Sequence, residues 1–116
     1  MSASNDPLAH PSATLAAFAA NLEFDQVPEA VRRRCEDLVL DTLASILAGS
    51  SAKPVRCVAD FAQAMGPSEG PSQDLVRRCT TSPYFAAMVN AASAHFVEQD
   101  DVHNGAVFHP GAVVIP

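Results

Sequence analysis

Apolar residues recur at helical spacing along most of the chain, and prolines and glycines mark where helices begin and end. Pro28 stands at a first helical position and Gly49 is a candidate left-handed stop, so one long helix is predicted between them. Apolar positions three and four residues apart widen in its second half, which predicts burial there on several sides. This stripe consists of Val31, Cys35, Leu38, Thr42 and Ile46, widened by Leu43 and Leu47.

Three shorter helices are predicted from the same signals. Each has a capping residue or a proline ahead of an apolar stretch. The last one is rich in small residues, which allow neighbouring helices to approach closely. The predicted helices cover residues 15–22, capped by Thr14, residues 55–65, opened by Pro54, and the alanine-rich stretch from Ser82 and Pro83 to Phe96.

Signs of β-structure between these helices are few. Residues 66–72 are rich in glycine and proline and predict a loop, and residues 75–81 are ambiguous between a short strand and a loop. No strand alternation is convincing. The predicted fold class is therefore all-α, with a domain over residues 14–116 that follows a flexible arm at residues 1–13.

Composition and charge narrow the classes of function. The chain has 116 residues and a formal net charge of −6 without a basic stripe, which argues against a nucleic-acid partner. Its longest apolar stretch, residues 38–48, is broken by Asp41 and is too short to span a bilayer. The three cysteines form no CxxC pair, which argues against a disulfide framework and fits a reducing compartment. We therefore expect a cytoplasmic protein without a membrane partner.

The segment from Glu98 to Gly111 carries the densest set of reactive side chains. Acids that follow a helix C-terminus oppose its dipole at a cost of roughly 0.3–1 kcal/mol each. Histidine titrates near neutral pH and a nearby carboxylate can fix its tautomer, so this segment is suited to general acid–base catalysis. A solvated loop that caps helix ends is the alternative, and a metal site lacks a tight HxH or HxxxH spacing. The reactive side chains are Glu98, Asp100, Asp101, His103 and His109.

Lysine and arginine are absent from the last third of the chain, where His95, His103 and His109 are the groups that can carry positive charge. All seven lysines and arginines lie at or before Arg78. An anionic ligand bound after that point would need protonated histidine, backbone N–H groups or cations from beyond residue 116. His95, inside the alanine-rich helix, is interpreted as a packed histidine bonded to a backbone carbonyl. Asn90, on the same helix, is interpreted first as a packing residue, with a cross-link between neighbouring segments as the alternative.

Several segments resemble the MmgE/PrpD family, in the same order along the chain. Residues 40–49 are similar to a family helix that ends in a small-residue stop, and residues 82–95 are similar to its alanine-rich helix. Residues 98–103 followed by 109–116 are similar to its Asp-Asp and His-Pro signature. The resemblance extends over about residues 14–116.

The resemblance implies a large all-helical domain that carries the active site, with a smaller α+β lid that these residues do not include. Members act on small di- and tricarboxylic acids, as homodimers without a metal or organic cofactor. They abstract a proton next to a carboxylate, and water loss, carbon dioxide loss or reprotonation follows. The implied function is that of a lyase or isomerase, with 2-methylcitrate dehydration in propionate catabolism as the reference activity.

The resemblance also implies roles for residues. His109 is the best candidate for a catalytic or carboxylate-binding histidine. Glu98 stands where some members have aspartate, and Val102 stands where some have a threonine hydroxyl. The candidate catalytic residues are His109, Asp101 and His103, and the candidate substrate-binding residues are Asp100, Glu98 and Asn90.

Two alternatives to an active enzyme stay open: a non-catalytic truncated remnant, and a helical dimerisation module that uses the alanine-rich helix as its interface. The family's downstream lysine, histidine and tyrosine residues lie outside these 116 residues. The isolated chain is therefore expected to lack dehydratase activity. Turnover of 2-methylcitrate well above a His109→Ala control would contradict this expectation.

Overall fold

A computed structural model of the chain describes residues 10–116. Most of the predicted arm lies outside the described residues, and Pro11 to Ala13 belong to the first helix. The structure is mostly helical, which confirms the all-α class, and no described helix is long and apolar enough to cross a membrane. The helices are α1 Pro11–Asn21, α2 Glu29–Gly49, α3 Lys53–Met65, α4 Pro83–Phe96 and α5 Gly111–Val114, and the strands are β1 Ser72–Asp74 and β2 Cys79–Thr81.

The chain divides into two compact units, with the boundary between Arg34 and Cys35 inside α2. In the described part of the first unit, Arg32 pairs with Glu29 and lies over the ring of Phe24 at 5.0 Å. The Thr14 hydroxyl donates to the His10 carbonyl oxygen, one turn back. Thr14 is therefore not the cap that the sequence predicted, because α1 begins three residues before it.

The second unit contains a β-hairpin between α3 and α4, where the sequence was ambiguous. Strands β1 and β2 pair antiparallel, with Ser72 opposite Thr81. The carboxylate of Asp74 closes the turn, because it accepts the backbone N–H groups of Val76 at 2.8 Å and Arg77 at 3.0 Å. Each strand has three residues, which are too few for an alternation of apolar and polar positions to predict the hairpin.

Asn90 attaches this hairpin to α4. Its side-chain oxygen accepts the N–H of Leu75 at 2.9 Å, and its side-chain nitrogen donates to the Gln73 carbonyl oxygen at 3.0 Å. Asn90 is buried, so both ends of its amide are satisfied by the backbone of the hairpin. The cross-link, which was the alternative to a packing role, is the role that these two hydrogen bonds show.

The buried side chains of the second unit form two small clusters on α4. Ile46, Ala94 and Ala112 form one, while Ala59, Ala62 and Val89 form the other. Helix α2 contributes a single buried face to this unit. The prediction that its second half is buried on several sides is wrong in this structure, since Leu40 is 66% and Leu47 is 61% exposed. Its buried positions are Thr42, Ser45, Ile46 and Gly49.

Helices α2 and α4 come into close contact at Gly49. The Ser93 hydroxyl donates to the Ile46 carbonyl oxygen at 2.6 Å, and a Cβ atom on Gly49 would overlap the Ser93 carbonyl oxygen. Gly49→Ala is therefore expected to lower the free energy of unfolding in urea by roughly 1–3 kcal/mol, the usual cost of overpacking.

The sign of this change is informative, because helix propensity alone favours alanine over glycine by about 1 kcal/mol. The exposed position Ala44 on the same helix is the matched control. Ala44→Gly should cost only that propensity term. A Gly49→Ala protein that unfolds at the same or a higher urea concentration than wild type would contradict the close approach.

Candidate active site

The candidate site begins where α4 ends and the chain reverses direction. The N–H of Glu98 donates to the His95 carbonyl oxygen at 3.0 Å, and Glu98 adopts a left-handed conformation with φ 49°. The reversal brings Asp100 back beside the last turn of α4. Glu98 itself is exposed to solvent.

Asp100 lies between two histidines. Its side chain is fully buried, with Oδ2 at 3.2 Å from Nδ1 of His95 and Oδ1 at 3.4 Å from Nδ1 of His109. The two imidazole rings meet edge to face, with centroids 4.9 Å apart. Because an ionised carboxylate only accepts hydrogen bonds, Nδ1 of His95 is the donor, which fixes the tautomer of its neutral ring. We call His95, Asp100 and His109 the His–Asp–His cluster.

The contact between His109 and Asp100 is at ion-pair distance without hydrogen-bond alignment. Nδ1 of His109 and Oδ1 of Asp100 are both buried and have no hydrogen-bond partner within residues 10–116. Leaving a buried donor or acceptor unpaired costs about 1–3 kcal/mol. His95 therefore forms the aligned hydrogen bond to Asp100, and His109 lies beside the other carboxylate oxygen.

Both histidines line one open cavity of about 390 Å³, a volume within the range of small-ligand sites. Nδ1 of each ring faces Asp100, so Nε2 lies on the opposite side of the ring. Nε2 of His95 and of His109 makes no hydrogen bond to the described part of the chain, which leaves it available to a ligand. The remaining walls are apolar and consist of Ala91, Ala92, Val107, Phe108, Ala112 and Val113.

Asp101 has a different role from Asp100. Its Oδ1 accepts the backbone N–H of Gly111 at 2.8 Å, where α5 begins. A Cβ atom on Gly111 would overlap this carboxylate and lie 2.8 Å from the Thr42 hydroxyl, so the contact requires glycine. Asp101 therefore fixes the segment that carries His109. Of the twin carboxylates, Asp100 is the one that reaches the histidines.

His103 lies outside the cluster. Its ring is exposed and its Nδ1 accepts the N–H of Ala106 at 3.1 Å, while its backbone N–H donates to the Phe108 carbonyl oxygen at 2.8 Å. These bonds close the loop that returns the chain to His109. At the rim of the cavity, Val107 has φ 48°, and a β-branched residue in this region carries strain of about 1–3 kcal/mol.

The structure thus gathers only some of the candidate residues. Asp100 and His109 meet, whereas the contacts of His103 and Asn90 lie elsewhere, in the 103–108 loop and in the hairpin. His95 is the member that the sequence missed. It was expected to bond a backbone carbonyl, but its partner is the Asp100 carboxylate. The signal in the sequence was that His95 and Asp100 lie close together along the chain, on either side of the end of α4.

A metal ion could also be held by this cluster. One ligand atom from each of the three side chains lies within 4.8 Å of the others. Two imidazole nitrogens and a carboxylate oxygen are a common ligand set for zinc. From the sequence, the candidate metal ligands were His103, His109 and the aspartates. In the structure, His95 and not His103 lies with His109 and Asp100.

Comparison with known proteins identifies the family of the chain. The sequence model of the MmgE/PrpD N-terminal domain matches residues 13–116, so the chain belongs to the MmgE/PrpD family and the resemblance is confirmed. The chain is 29% identical over 109 residues to cis-aconitate decarboxylase from Aspergillus terreus, a match over 90% of this chain and 21% of that protein. The chain therefore spans about a fifth of the length of this relative. No solved structure matches the chain significantly.

Proposed function

We propose that this protein is a lyase or isomerase that acts on a small di- or tricarboxylic acid, and that His109 transfers the proton. The observation that carries the proposal is the buried Asp100 carboxylate at 3.4 Å from Nδ1 of His109, beside a cavity of ligand size. Similarity to a cis-aconitate decarboxylase supports the substrate class. 2-Methylcitrate and cis-aconitate are the first substrates to test.

In the proposed reaction, Nε2 of His109 removes a proton from the carbon next to a substrate carboxylate. The electron pair of the broken C–H bond is delocalised onto that carboxylate. Oδ1 of Asp100 lies 3.4 Å from Nδ1 of His109, so the imidazolium that forms lies against a negative charge.

The next step depends on the substrate. Departure of a hydroxyl group from the neighbouring carbon takes the electron pair into a double bond and gives an alkene and water. Delivery of a proton from solvent to the opposite face of the same carbon gives an epimer, and the imidazolium releases its own proton to solvent. In a decarboxylation no proton is removed first: the electron pair of the broken C–C bond stays on the carbon atom that carbon dioxide leaves, and that carbon takes a proton that His109 relays from solvent.

Isotope exchange tests this proposal directly. The purified protein is incubated with 2-methylcitrate in heavy water, and in parallel with cis-aconitate, and both samples are followed by NMR. Loss of water is not expected from these residues alone. We expect the proton-transfer step, seen as deuterium that enters 2-methylcitrate next to a carboxylate, or the loss of carbon dioxide from cis-aconitate, to be faster than with an equimolar amount of free imidazole. Rates equal to this control for both acids would contradict the proposal.

Binding of a transition-metal ion is the second candidate function, because the ligand atoms of the cluster converge. An ion that binds only the folded state stabilises it by about 2.7 kcal/mol at a hundredfold excess over Kd. Zinc chloride should then raise the melting temperature of wild type and not of Asp100→Ala. No shift at high micromolar zinc, or an equal shift in both proteins, would dismiss this function.

A further inference from the structure

We infer that Asn104 is a site of spontaneous deamidation, and that its conversion to isoaspartate changes the wall of the cavity that holds the two histidines. The sequence has one Asn-Gly step, Asn104–Gly105, and its other asparagines are followed by larger residues. Both residues of the step are exposed, in the turn that returns the chain to His109. The deamidation does not depend on the proposed function, whereas its effect on catalysis does.

The reaction is an attack of the Gly105 backbone nitrogen on Cγ of Asn104. The nitrogen loses its proton to solvent and its electron pair forms the new N–C bond, while the side-chain NH₂ group takes up a proton and leaves as ammonia. The product is a cyclic succinimide. Water then opens the ring at either of its carbonyl carbons. One opening gives aspartate, and the other gives isoaspartate, in which the main chain runs through Cβ and Cγ.

Both reacting groups lack hydrogen-bond partners in the described part of the chain. This holds for the side chain of Asn104 and for the backbone N–H of Gly105. The other described asparagines are held in place. Both ends of the Asn90 amide are bonded to the hairpin, and the amide nitrogen of Asn21 donates to the Ala17 carbonyl oxygen. Attack at Asn104 therefore breaks no hydrogen bond of the reacting groups.

Two features of the turn favour the approach of the nitrogen to Cγ. Gly105 has no Cβ atom, so its nitrogen is unhindered and its backbone rotates with few restrictions. Val107 is held at φ 48°, a conformation that is strained for a β-branched residue. Opening of the turn releases this strain, so conformations in which the nitrogen meets Cγ are accessible by local opening.

Isoaspartate at this position disrupts the present loop. The N–H of His103 donates to the Phe108 carbonyl oxygen at 2.8 Å, and the N–H of Ala106 donates to the His103 carbonyl oxygen at 3.0 Å. One more carbon atom in the main chain between His103 and Ala106 displaces these bonds. Phe108 lines the cavity and His109 follows it, so the wall moves with the loop. Either product also adds a negative charge, which opposes an anionic ligand.

Mass spectrometry of the purified chain, stored at neutral pH, tests the inference. Chymotrypsin cleaves after phenylalanine and so releases Asn21, Asn90 and Asn104 on separate peptides. Deamidation adds about 1 Da, and we expect it at Asn104 at a rate at least roughly ten times that of the other two. The product should also accept a methyl group from an isoaspartyl methyltransferase. An Asn104 that deamidates no faster than Asn21 would overturn the inference.

Gly105→Ala is the matched control for the attacking nitrogen. The added Cβ atom would lie 3.3 Å from Cε1 of the exposed His103 ring, which can move aside, and Gly105 does not have a positive φ. The variant therefore keeps the loop but hinders the nitrogen, and deamidation of Asn104 should slow roughly tenfold. An unchanged rate in Gly105→Ala would show that this nitrogen does not attack, against the inference.

Amide NMR spectra follow the effect on the cavity wall without reference to catalysis. As isoaspartate accumulates in stored wild type, we expect a second set of signals for Val107, Phe108 and His109, whereas the signal of Asn90 stays single. Freshly prepared Asn104→Asp gains the charge without the longer main chain, and should show one set throughout. Cavity-wall signals that stay single after conversion of Asn104 would overturn the effect on the site.

The inference and the proposed function fail in different ways. Deuterium exchange should fall in proportion to the fraction of isoaspartate in the stored protein, and Asn104→Asp should retain most of it. If exchange is constant while isoaspartate accumulates, the modification has no effect on the site and the proposed function stands. If fresh wild type exchanges no deuterium and releases no carbon dioxide while isoaspartate still forms and the NMR signals divide, the proposed function fails and the modification site stands.

Discussion

Replacing His109 by alanine is expected to lower the rate of deuterium exchange by two to four orders of magnitude, the range typical for loss of a general base. Alanine provides no atom to accept the proton. It also leaves Oδ1 of Asp100 facing the cavity instead of Nδ1 of His109.

The matched control for this variant is His10→Ala, which removes an exposed histidine at the start of the described chain. Its exchange rate should equal that of wild type. Circular dichroism of both variants confirms that the helices are retained. Exchange in His109→Ala within about threefold of wild type would exclude His109 as the proton-transfer residue.

Asp100→Asn is expected to reduce exchange about a hundredfold, although it changes the shape of the side chain very little. An amide presents one oxygen and one NH₂ group, so it can accept from only one of the two Nδ1–H groups that now face the carboxylate. The other imidazole must turn or adopt the Nε2–H tautomer. In that tautomer, the nitrogen that faces the cavity no longer has a lone pair to accept a proton.

Asp101→Asn provides the comparison for this variant, since the two aspartates are adjacent and the same atoms change. An asparagine at 101 keeps an oxygen that can accept the N–H of Gly111. We therefore expect a markedly smaller loss of exchange from Asp101→Asn than from Asp100→Asn. The reverse order would show that Asp101 is the carboxylate that serves the proton-transfer residue.

Much of the fold was predictable because its helices carry local signals. Pro83 begins α4, as the sequence predicted. Helix α2 ends at Gly49 as predicted, but the left-handed conformation expected there is wrong, since Gly49 does not have a positive φ. The hairpin was not predictable, since three-residue strands are too short for periodicity and Asn90, the residue that attaches them, is distant in sequence. Burial of α2 was overestimated because an apolar stripe does not reveal which of its positions find a partner, and Leu47 finds none among the described residues.

The site was predictable only as a segment. The sequence placed carboxylates beside histidines, but it could not distinguish Asp100 from Asp101. The two side chains are adjacent and point in different directions, and the backbone conformation before them decides which one faces the histidines. The left-handed Glu98 sets that direction, and nothing in its residue type signals a positive φ. His95 was missed for the same reason: its contact with Asp100 exists only because the chain reverses at Glu98.

One measurement tests the central claim, that Asp100 joins His95 and His109 into a single site. Long-range proton–nitrogen NMR correlations of the ligand-free protein at neutral pH report which ring nitrogen of each histidine carries hydrogen. We expect His95 and His109 to show hydrogen on Nδ1 and a bare Nε2, and both patterns to disappear in Asp100→Ala. Spectra in which His109 carries hydrogen on Nε2, and in which Asp100→Ala changes neither ring, would contradict the account.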